Sequence, residues 1–367
     1  MAVGRIMLQR WQVSSTITGT QASGPLLQVG TGFGPRQWPI SSCISNVQMT
    51  INTGSINLQY DILPMLFRCR SFWDIDEIEL TTFPNALDQF QRYGDWQVYG
   101  SGRNPLNLYG EWSIGKVHSR GGFPGFDVTV NGSGGGTLTG VATGDFWEPL
   151  VLSPFLQKGQ VADFVGLNQA TLTINVSDTT YQRLWSMDTT SPIASAFMSC
   201  VTTFTAVPTV TQLQKTPSVL NRIPDRALYA YDRVYRFTTA MSSMAPNSSQ
   251  TVTTTQPLSL SFIPPIILIG ARRAQSGWNI STSDTFLALQ SLNIVWNGNA
   301  GPLSAFDQAQ LYKIAKKNGV NLSYDQFAFY TGSVIPLVPG IDFQASSIGS
   351  FVTLWMHSLP HPTAACF

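Results

Sequence analysis

Short segments in which apolar and polar residues alternate, or β-branched residues cluster, constrain the fold of this chain more than any other feature. Such segments are typical of half-buried β-strands, because successive side chains of a strand point to opposite faces of its sheet. They lie at 46–52, 126–131, 170–176, 200–207, 234–239, 251–255, 258–263, 266–269, 291–296, 333–338 and 351–356. Clusters of Gly, Pro, Asn and Ser separate them. The sequence therefore predicts an all-β sandwich or barrel built from many short strands.

The charge content of the chain is unusually low. Charged residues make up 11% of the 367 positions, against roughly 25% in ordinary soluble proteins. A helical enzyme is disfavoured, because exposed helix faces normally carry Glu, Lys and Arg. So little surface charge also protects a monomer poorly against association. Two interpretations follow: a secreted β-protein, or a subunit whose surface is covered by copies of itself, and we favour the second.

Targeting and membrane signals are weak. Residues 1–15 contain no continuous apolar stretch, so we expect a chain that is not secreted. The most apolar segment, 262–271, holds Pro264 and Pro265 and is too short to span a bilayer, so it predicts a buried strand entered through a proline turn. The four cysteines show no C-x-x-C pairing and are expected to be reduced, mostly buried thiols. They are Cys43, Cys69, Cys200 and Cys366.

One helix is well specified near the C-terminus. Ser304 is the expected N-cap, with Asp307 completing a capping box. An apolar stripe at helical spacing follows, formed by Leu311, Ile314 and Ala315. Asn318-Gly319 is expected to stop the helix. Lys313, Lys316 and Lys317 suit the helix dipole better than they suit a nucleic-acid patch.

A glycine-rich stretch at 131–140 is the nearest approach to a phosphate-binding loop. It lacks the lysine that such a loop needs, so it predicts a flexible hairpin or surface loop.

A strand followed by a turn and a helix occurs twice, 245 residues apart. The first copy runs through 47–54 into a helix with Asp61 as its expected cap, and the second runs through 292–298. This echo indicates two copies of one β-domain, with chance similarity as the alternative. The predicted division is a first domain at 1–207 with long insertions at 70–160, a linker at 208–228 and a second domain at 229–367.

Several of these segments resemble the double jelly-roll major capsid proteins of icosahedral DNA viruses, within the polinton-like, adintovirus-like and virophage-like group. The residues that carry the resemblance are 39–42, 183–186, 284–286, 292–297, 301–304, 311–312, 318–319 and 332–334. The resemblance implies two tandem eight-stranded jelly rolls with short helices in loops. It also implies homotrimers that form pseudo-hexagonal capsomers and build an icosahedral shell around the genome.

The same resemblance implies the partners and the location of the protein. These partners are further copies of the chain, neighbouring capsomers and a vertex (penton) protein. The chain would be made and assembled inside the host cell and would reside in the virion capsid. The second half is short for a complete jelly roll of this family.

Residues that could carry catalysis or bind a metal are few. His118, His357 and His361 form no zinc motif. The carboxylates at 74–79 could serve glycoside hydrolysis or bind calcium, but alternation divides them between two strand faces, which favours a solvated or interface edge. We expect no enzymatic activity, no cofactor and no metal.

Two binding hypotheses remain. Arg5 and Arg10 lie in a mildly positive N-terminal arm that could make weak contacts with packaged DNA. The alternative to a capsid protein is a carbohydrate-binding β-sandwich module, fibre or lectin-like, that stacks sugars on exposed aromatics. The candidate aromatics are Trp96, Tyr99, Tyr109 and Trp112.

Overall fold

A computed structural model gives the fold as two compact units. Unit 1 comprises Met1–Leu63, Trp73–Val234 and Trp278–Thr282, and unit 2 comprises Pro64–Phe72, Tyr235–Gly277 and Ser283–Phe367. The structure describes residues 2–21, 33–35, 39–66, 68–69, 127–131, 136–153, 155, 164–165, 169–176, 184–187, 196–204, 209–214, 233–240, 251–254, 258–260, 262–272, 274, 286–296, 299–300, 303, 306–330, 332–342 and 351–359. The division at 208–228 stays a prediction, although residues 209–214 of that range form a strand of unit 1.

In the described residues, unit 1 contains antiparallel strands and three short helical turns. The strands are β1 (Ala2–Gln21), β2 (Phe33–Pro35), β3 (Ile44–Ile51), β4 (Gly54–Gln59), β5 (Asp127–Asn131), β6 (Gly136–Pro149), β7 (Phe164–Val165), β8 (Ala170–Val176), β9 (Trp185–Met187), β10 (Ala196–Phe204) and β11 (Thr209–Gln214). The helical turns are α1 (Pro39–Cys43), a 3-10 turn (Tyr60–Ile62) and α2 (Leu63–Leu66), which runs into unit 2. The sheets have the orders β10-β1-β6-β5, β4-β3-β8 and β2-β9, and β7 and β11 also pair with β1.

Strand β1 is the centre of the six-stranded sheet. Its inward side chains alternate as Gln9, Trp11, Val13 and Ser15, all buried. Two of these four are polar, so the apolar alternation that marks a half-buried strand is broken, and sequence reasoning missed β1. The prediction of an N-terminal arm is therefore wrong: residues 8–21 pair with β6 along one edge, and along the other edge β10 pairs with 13–20 and β11 with 7–10.

Unit 2 has the same antiparallel character, with longer helices. Its strands are β12 (Thr251–Thr254), β13 (Leu258–Ser259), β14 (Ile267–Gly270), β15 (Ala288–Trp296), β16 (Asn299–Ala300), β17 (Val334–Leu337) and β18 (Phe351–Leu359). Its helices are α3 (Gln308–Lys317), a π-helical turn (Gln326–Tyr330) and α4 (Pro339–Asp342). The sheets have the orders β12-β18-β15-β16 and β14-β17, with β13 also paired to β18.

Helix α3 packs on β15 and β17, and it confirms most of its prediction. Leu311 and Ala315 are buried, and Gly319 follows the helix with a φ of 104°, which is the left-handed stop that the sequence predicts. The expected N-cap is wrong. Asp307 caps the helix, and it shares its capping box with Gln310.

Most of the predicted strands are present, but the one at 234–239 is wrong. Residues 233–240 belong to no strand and are exposed. Strand 267–270 confirms the strand predicted within 262–271, and its residues are mostly half-buried. The strands on either side of the glycine-rich stretch at 131–140, β5 and β6, pair as a hairpin, and residues 136–140 belong to β6 itself, while 132–135 lie outside the described residues.

The similarity that the sequence indicates between the two halves is present in the structure as a hairpin in each half. Ile51 pairs with Gly54, and Trp296 pairs with Asn299, so each strand returns through a two-residue loop. The short helix predicted after the first strand and turn is present as the 3-10 turn and α2, and β4, which was not predicted, lies between the first strand and these helical turns. Asp61 is also not a cap: the residue before the 3-10 turn is Gln59, whose side chain makes no capping hydrogen bond.

Candidate contact surface

The outward face of the β4-β3-β8 sheet is a grid of uncharged polar side chains. Register places three residues in each of three rows across the strands. The rows are Gln59–Asn46–Asn175, Asn57–Gln48–Thr173 and Ser55–Thr50–Thr171. We call these nine residues the neutral face. Seven of them are exposed and two, Asn46 and Thr50, are half-buried.

Hydrogen bonds link the amides of the neutral face to one another. The Asn175 amide donates to Asn46 Oδ1 at 2.9 Å, and the Asn46 amide donates to Asn57 Oδ1 at 2.8 Å. Gln48 Nε2 donates to Ser55 Oγ at 3.3 Å. These bonds cross all three strands, so they restrict the side-chain rotamers before any partner arrives.

The opposite side of this sheet is the apolar support of the neutral face. Val47 and Met49 of β3 and Ile56 and Leu58 of β4 are all less than 10% exposed. Because side chains alternate along each strand, burial of these residues fixes the polar set outward.

A buried carboxylate supports the entry into β3. Glu148 of β6 is fully buried and accepts the N–H of Ile40 at 2.7 Å, the N–H of Ser41 at 2.8 Å and the Ser41 hydroxyl. These are first-turn donors of α1, which have no partner within the helix. Burial raises the pKa of Glu148 to about 7, and the three hydrogen bonds oppose that rise. Glu148 therefore holds α1, and with it the start of β3, against the six-stranded sheet.

Tyr60 is a second buried polar anchor in unit 1. Its hydroxyl oxygen accepts the N–H of Val151 at 3.1 Å. Burial raises the pKa of this hydroxyl above its usual range, and the nearby Glu148 carboxylate raises it further. Tyr60 thus stays neutral and ties the end of the β3–β4 hairpin to the segment after β6.

Unit 2 buries a cation instead. Arg68 is 6% exposed, its Nη1 donates to the Gly332 carbonyl at 3.2 Å, and its guanidinium lies 4.5 Å from the centre of the Phe286 ring. Burial lowers the pKa of Arg68 to about 9, and the positive charge of Arg272 contributes. The neighbouring Cys69 pairs with Val320 in an isolated bridge, so this early segment is part of the unit 2 core.

A small aromatic group is exposed in unit 2. Tyr235 and Phe237 are more than half exposed, and Phe262 is 46% exposed. The Tyr235 and Phe262 rings meet edge to face with centroids 5.8 Å apart. Sequence reasoning assigned 234–239 to a strand and so missed this surface.

The structure places the predicted site residues in different ways. Arg5 and Arg10 both lie in β1, and the Arg10 guanidinium sits 5.0 Å from the centre of the Trp147 ring. His357 lies in β18. The carboxylates at 74–79, the aromatics Trp96, Tyr99, Tyr109 and Trp112, and His118 and His361 lie outside the described residues.

The neutral face was also missed at the sequence level, although a signal existed. The polar members of the alternating segments 46–52 and 170–176 are Asn, Gln and Thr without a single charge. What could not be read locally is that register sets β3 between β4 and β8 and so merges three polar rows into one face.

Among the described residues, no three His, Cys, Asp or Glu side chains group in a way that could hold a metal ion. Cys43 and Cys69 are buried thiols outside any disulfide, as predicted, while Cys200 is described only as part of β10 and Cys366 lies outside the described residues. No helix in the described part of the chain is long and apolar enough to cross a membrane.

Two tandem antiparallel units with short connecting helices define a protein of the double jelly-roll class, and solved structures agree. A chain of the Sputnik virophage cryo-EM structure matches with a TM-score of 0.80 and 21% identity, over 98% of this chain and 77% of that one. The mavirus major capsid protein matches with a TM-score of 0.69 and 13% identity, over 100% of this chain and 79% of that one. The predicted double jelly-roll fold is confirmed.

Sequence comparison identifies the family. Residues 1–221 match the family of the first domain of the Sputnik virophage major capsid protein, and residues 233–357 match that of the C-terminal domain of major capsid protein V20. The chain therefore belongs to the virophage major capsid protein family, as the resemblance implied. The Sputnik virophage capsid protein V20 is 27% identical over 303 residues, which cover 80% of this chain. The chain spans about half, 49%, of the length of that curated relative. Nothing among these relatives favours the carbohydrate-binding alternative.

Proposed function

We propose that this chain is a structural subunit of a virus shell and carries out no catalysis. It would associate into homotrimers with a pseudo-hexagonal outline, and these capsomers would tile an icosahedral shell around the genome. The observation that carries the proposal is the match of both jelly rolls to capsid-protein domains, at 1–221 and 233–357.

The physical properties of the chain support this role. Its charged fraction of 11% suits a surface that is largely covered in an assembly. Among the described residues, β4 and β8 are the outer strands of their sheet, and outer strands have backbone groups that subunit contacts can cover. A trimer lets a cyclic oligomer fill six-coordinated positions of a closed lattice.

The mass of the untagged purified protein tests the proposal. We expect light scattering to give three times the subunit mass, and negative-stain microscopy of the same fraction to show hexagonal capsomers or closed shells. A protein that stays monomeric and forms no particles across a range of salt and pH would overturn it.

We also infer weak contact between the packaged DNA and the N-terminal strand through Arg5 and Arg10. Both residues belong to β1, and Arg10 already stacks on Trp147. Particles carrying Arg5→Ala and Arg10→Ala are expected to lose DNA at lower salt than unmodified particles, because phosphate contacts are salt-sensitive. Equal DNA retention at raised salt would contradict the inference.

The remaining partners and the location follow from the same proposal. A separate vertex protein would close the fivefold positions, where trimers do not fit. The protein would be made and assembled inside the host cell and would function in the virion. We expect assembled shells to be recovered from infected cells rather than from the culture medium, and a vertex protein to co-purify with them.

A further inference from the structure

The neutral face has a chemistry that selects its partner. All nine of its side chains are amides or hydroxyls, and each of these groups both donates and accepts hydrogen bonds. The face carries no charge that would attract phosphate, no aromatic ring on which a sugar could stack and no apolar side chain for a lipid surface. Two copies of such a surface can therefore hydrogen-bond to each other, because each group can act as donor or acceptor and none is charged.

We propose that the neutral face is an isologous contact between two copies of this chain, in which one neutral face meets the same face of the second copy about a twofold axis. This rests on the proposed shell function and specifies one contact within it. When two such faces meet, their amides and hydroxyls replace hydrogen bonds to water with hydrogen bonds to each other, and no like charges repel. The Asn175–Asn46–Asn57 hydrogen bonds already restrict the side-chain rotamers of the face, so less side-chain conformational entropy is lost on contact.

Symmetry assigns this contact to a particular level of assembly. A cyclic trimer closes through heterologous contacts, in which two different patches meet. An isologous contact cannot close a trimer, so the neutral face would join one trimer to the next. Loss of the contact is therefore expected to leave trimers intact and to stop shell formation.

The size of the neutral face agrees with a weak, repeated contact. With strands about 4.8 Å apart and alternate residues about 6.8 Å apart, nine positions cover about 300 Å² on each copy. The pair would bury about 600 Å², well below the roughly 1,200 Å² of a stable dimer. Many such contacts acting together can still hold a shell.

Charge at the centre of the neutral face tests the proposal. Gln48→Glu is nearly isosteric at an exposed position, and Gln48→Lys places the opposite charge there. Each variant alone is expected to keep the trimer mass and the melting temperature of the unmodified protein but to lose shells. Mixing trimers of the two variants is expected to raise the shell yield above that of either alone, because opposite charges then meet. Thr53→Glu, in the exposed turn of the same hairpin but outside the face, is the matched control and should assemble normally.

Two results would overturn the contact. Normal shell yield from either Gln48 variant would show that the face lies away from any interface. Loss of shells in both variants without recovery on mixing would show that the face meets some other surface. Failure of the unmodified protein to form trimers or shells would instead overturn the proposed function, so the two failures are distinguishable.

Discussion

The N-termini of two helices in this protein are capped in different ways, α1 by a residue that is distant in sequence and α3 by a residue next to it. In unit 1, the first N–H groups of α1 are held by Glu148, which lies 107 residues beyond Ser41 and is fully buried. In unit 2, α3 is capped by Asp307, which accepts the N–H of Gln310 three residues away at the protein surface. The first cap couples two distant elements of one unit, and the second stabilises only its own helix. A cap that is distant in sequence therefore stabilises the packing of its unit, whereas a cap that neighbours its helix has only a local effect.

Two glycines with positive φ extend the same comparison. Gly319 follows α3 at a φ of 104° and ends the helix through local geometry. Gly332 has a φ of 75°, and a Cβ there would lie 1.7 Å from the Phe286 carbonyl oxygen, far closer than atoms can approach. Ser333 donates its N–H to Leu287 at this point, so the close approach is part of how the chain crosses the core of unit 2.

The largest expected effect is that of Gly332→Ala. The new methyl group must displace backbone, and the Gly332 carbonyl would lose its place opposite Arg68. We expect a loss of about 4 kcal/mol or more, which lies in the range of severe core substitutions. Thermal unfolding measures it. Gly340→Ala is the control, because a Cβ there meets nothing within 4 Å, and it should leave the melting temperature nearly unchanged.

Removal of the distant cap is expected to have the next largest effect. Glu148→Ala leaves the N–H groups of Ile40 and Ser41 buried without an acceptor, which costs about 2–4 kcal/mol. Glu148→Gln keeps the shape and one acceptor oxygen and should cost less. Denaturant unfolding of the two variants distinguishes them, and equal stability of Glu148→Ala and the unmodified protein would contradict the role of Glu148.

The distant cap also predicts a pH dependence with a defined sign. The pKa of Glu148 is about 7 in the folded chain and 4.5 in the unfolded chain, so the folded state binds the extra proton between these values. The contribution of Glu148 to stability is therefore greatest below pH 4.5, falls by about 3 kcal/mol as the pH rises to 7, and is constant above. The difference in unfolding free energy between the unmodified protein and Glu148→Gln should follow this curve. A difference that stays flat from pH 4.5 to 7 would rule out the raised pKa.

The local cap is expected to have the smallest effect. Asp307→Ala removes one exposed capping hydrogen bond and should cost about 1 kcal/mol. Asp307→Asn, which retains an acceptor oxygen, should recover most of this loss. A loss from Asp307→Ala as large as that from Glu148→Ala would remove the distinction between the two caps.

Features set by a few neighbouring residues were predictable. The alternation at 46–52 and 170–176 predicted β3 and β8, and the spacing of Leu311 and Ala315 with Asn318-Gly319 predicted the body and the end of α3. The start of α3 was misplaced by a few residues, because Ser304 and Asp307 are both good caps and only hydrogen bonding decides between them.

Features set by distant partners were not predictable from local patterns. Gln9 and Ser15 are buried polar residues that interrupt the apolar alternation of β1. The pattern therefore did not predict this strand, although it is the central strand of its sheet. The exposed segment 233–240 alternates like a strand, but the described structure gives it no strand partner. Propensity and alternation can show that a segment suits a strand, whereas pairing depends on which other segment lies beside it.

The sequence by itself determined the all-β class, most of the short strands and the body of α3, because each depends on residues that are close neighbours along the chain. The tertiary structure alone decided the centre of the first sheet, the cap that Glu148 provides to α1, the need for glycine at 332 and the merging of three polar rows into the neutral face. Each of these joins groups that are far apart in sequence. Their energies come from burial and close approach, which no local pattern records.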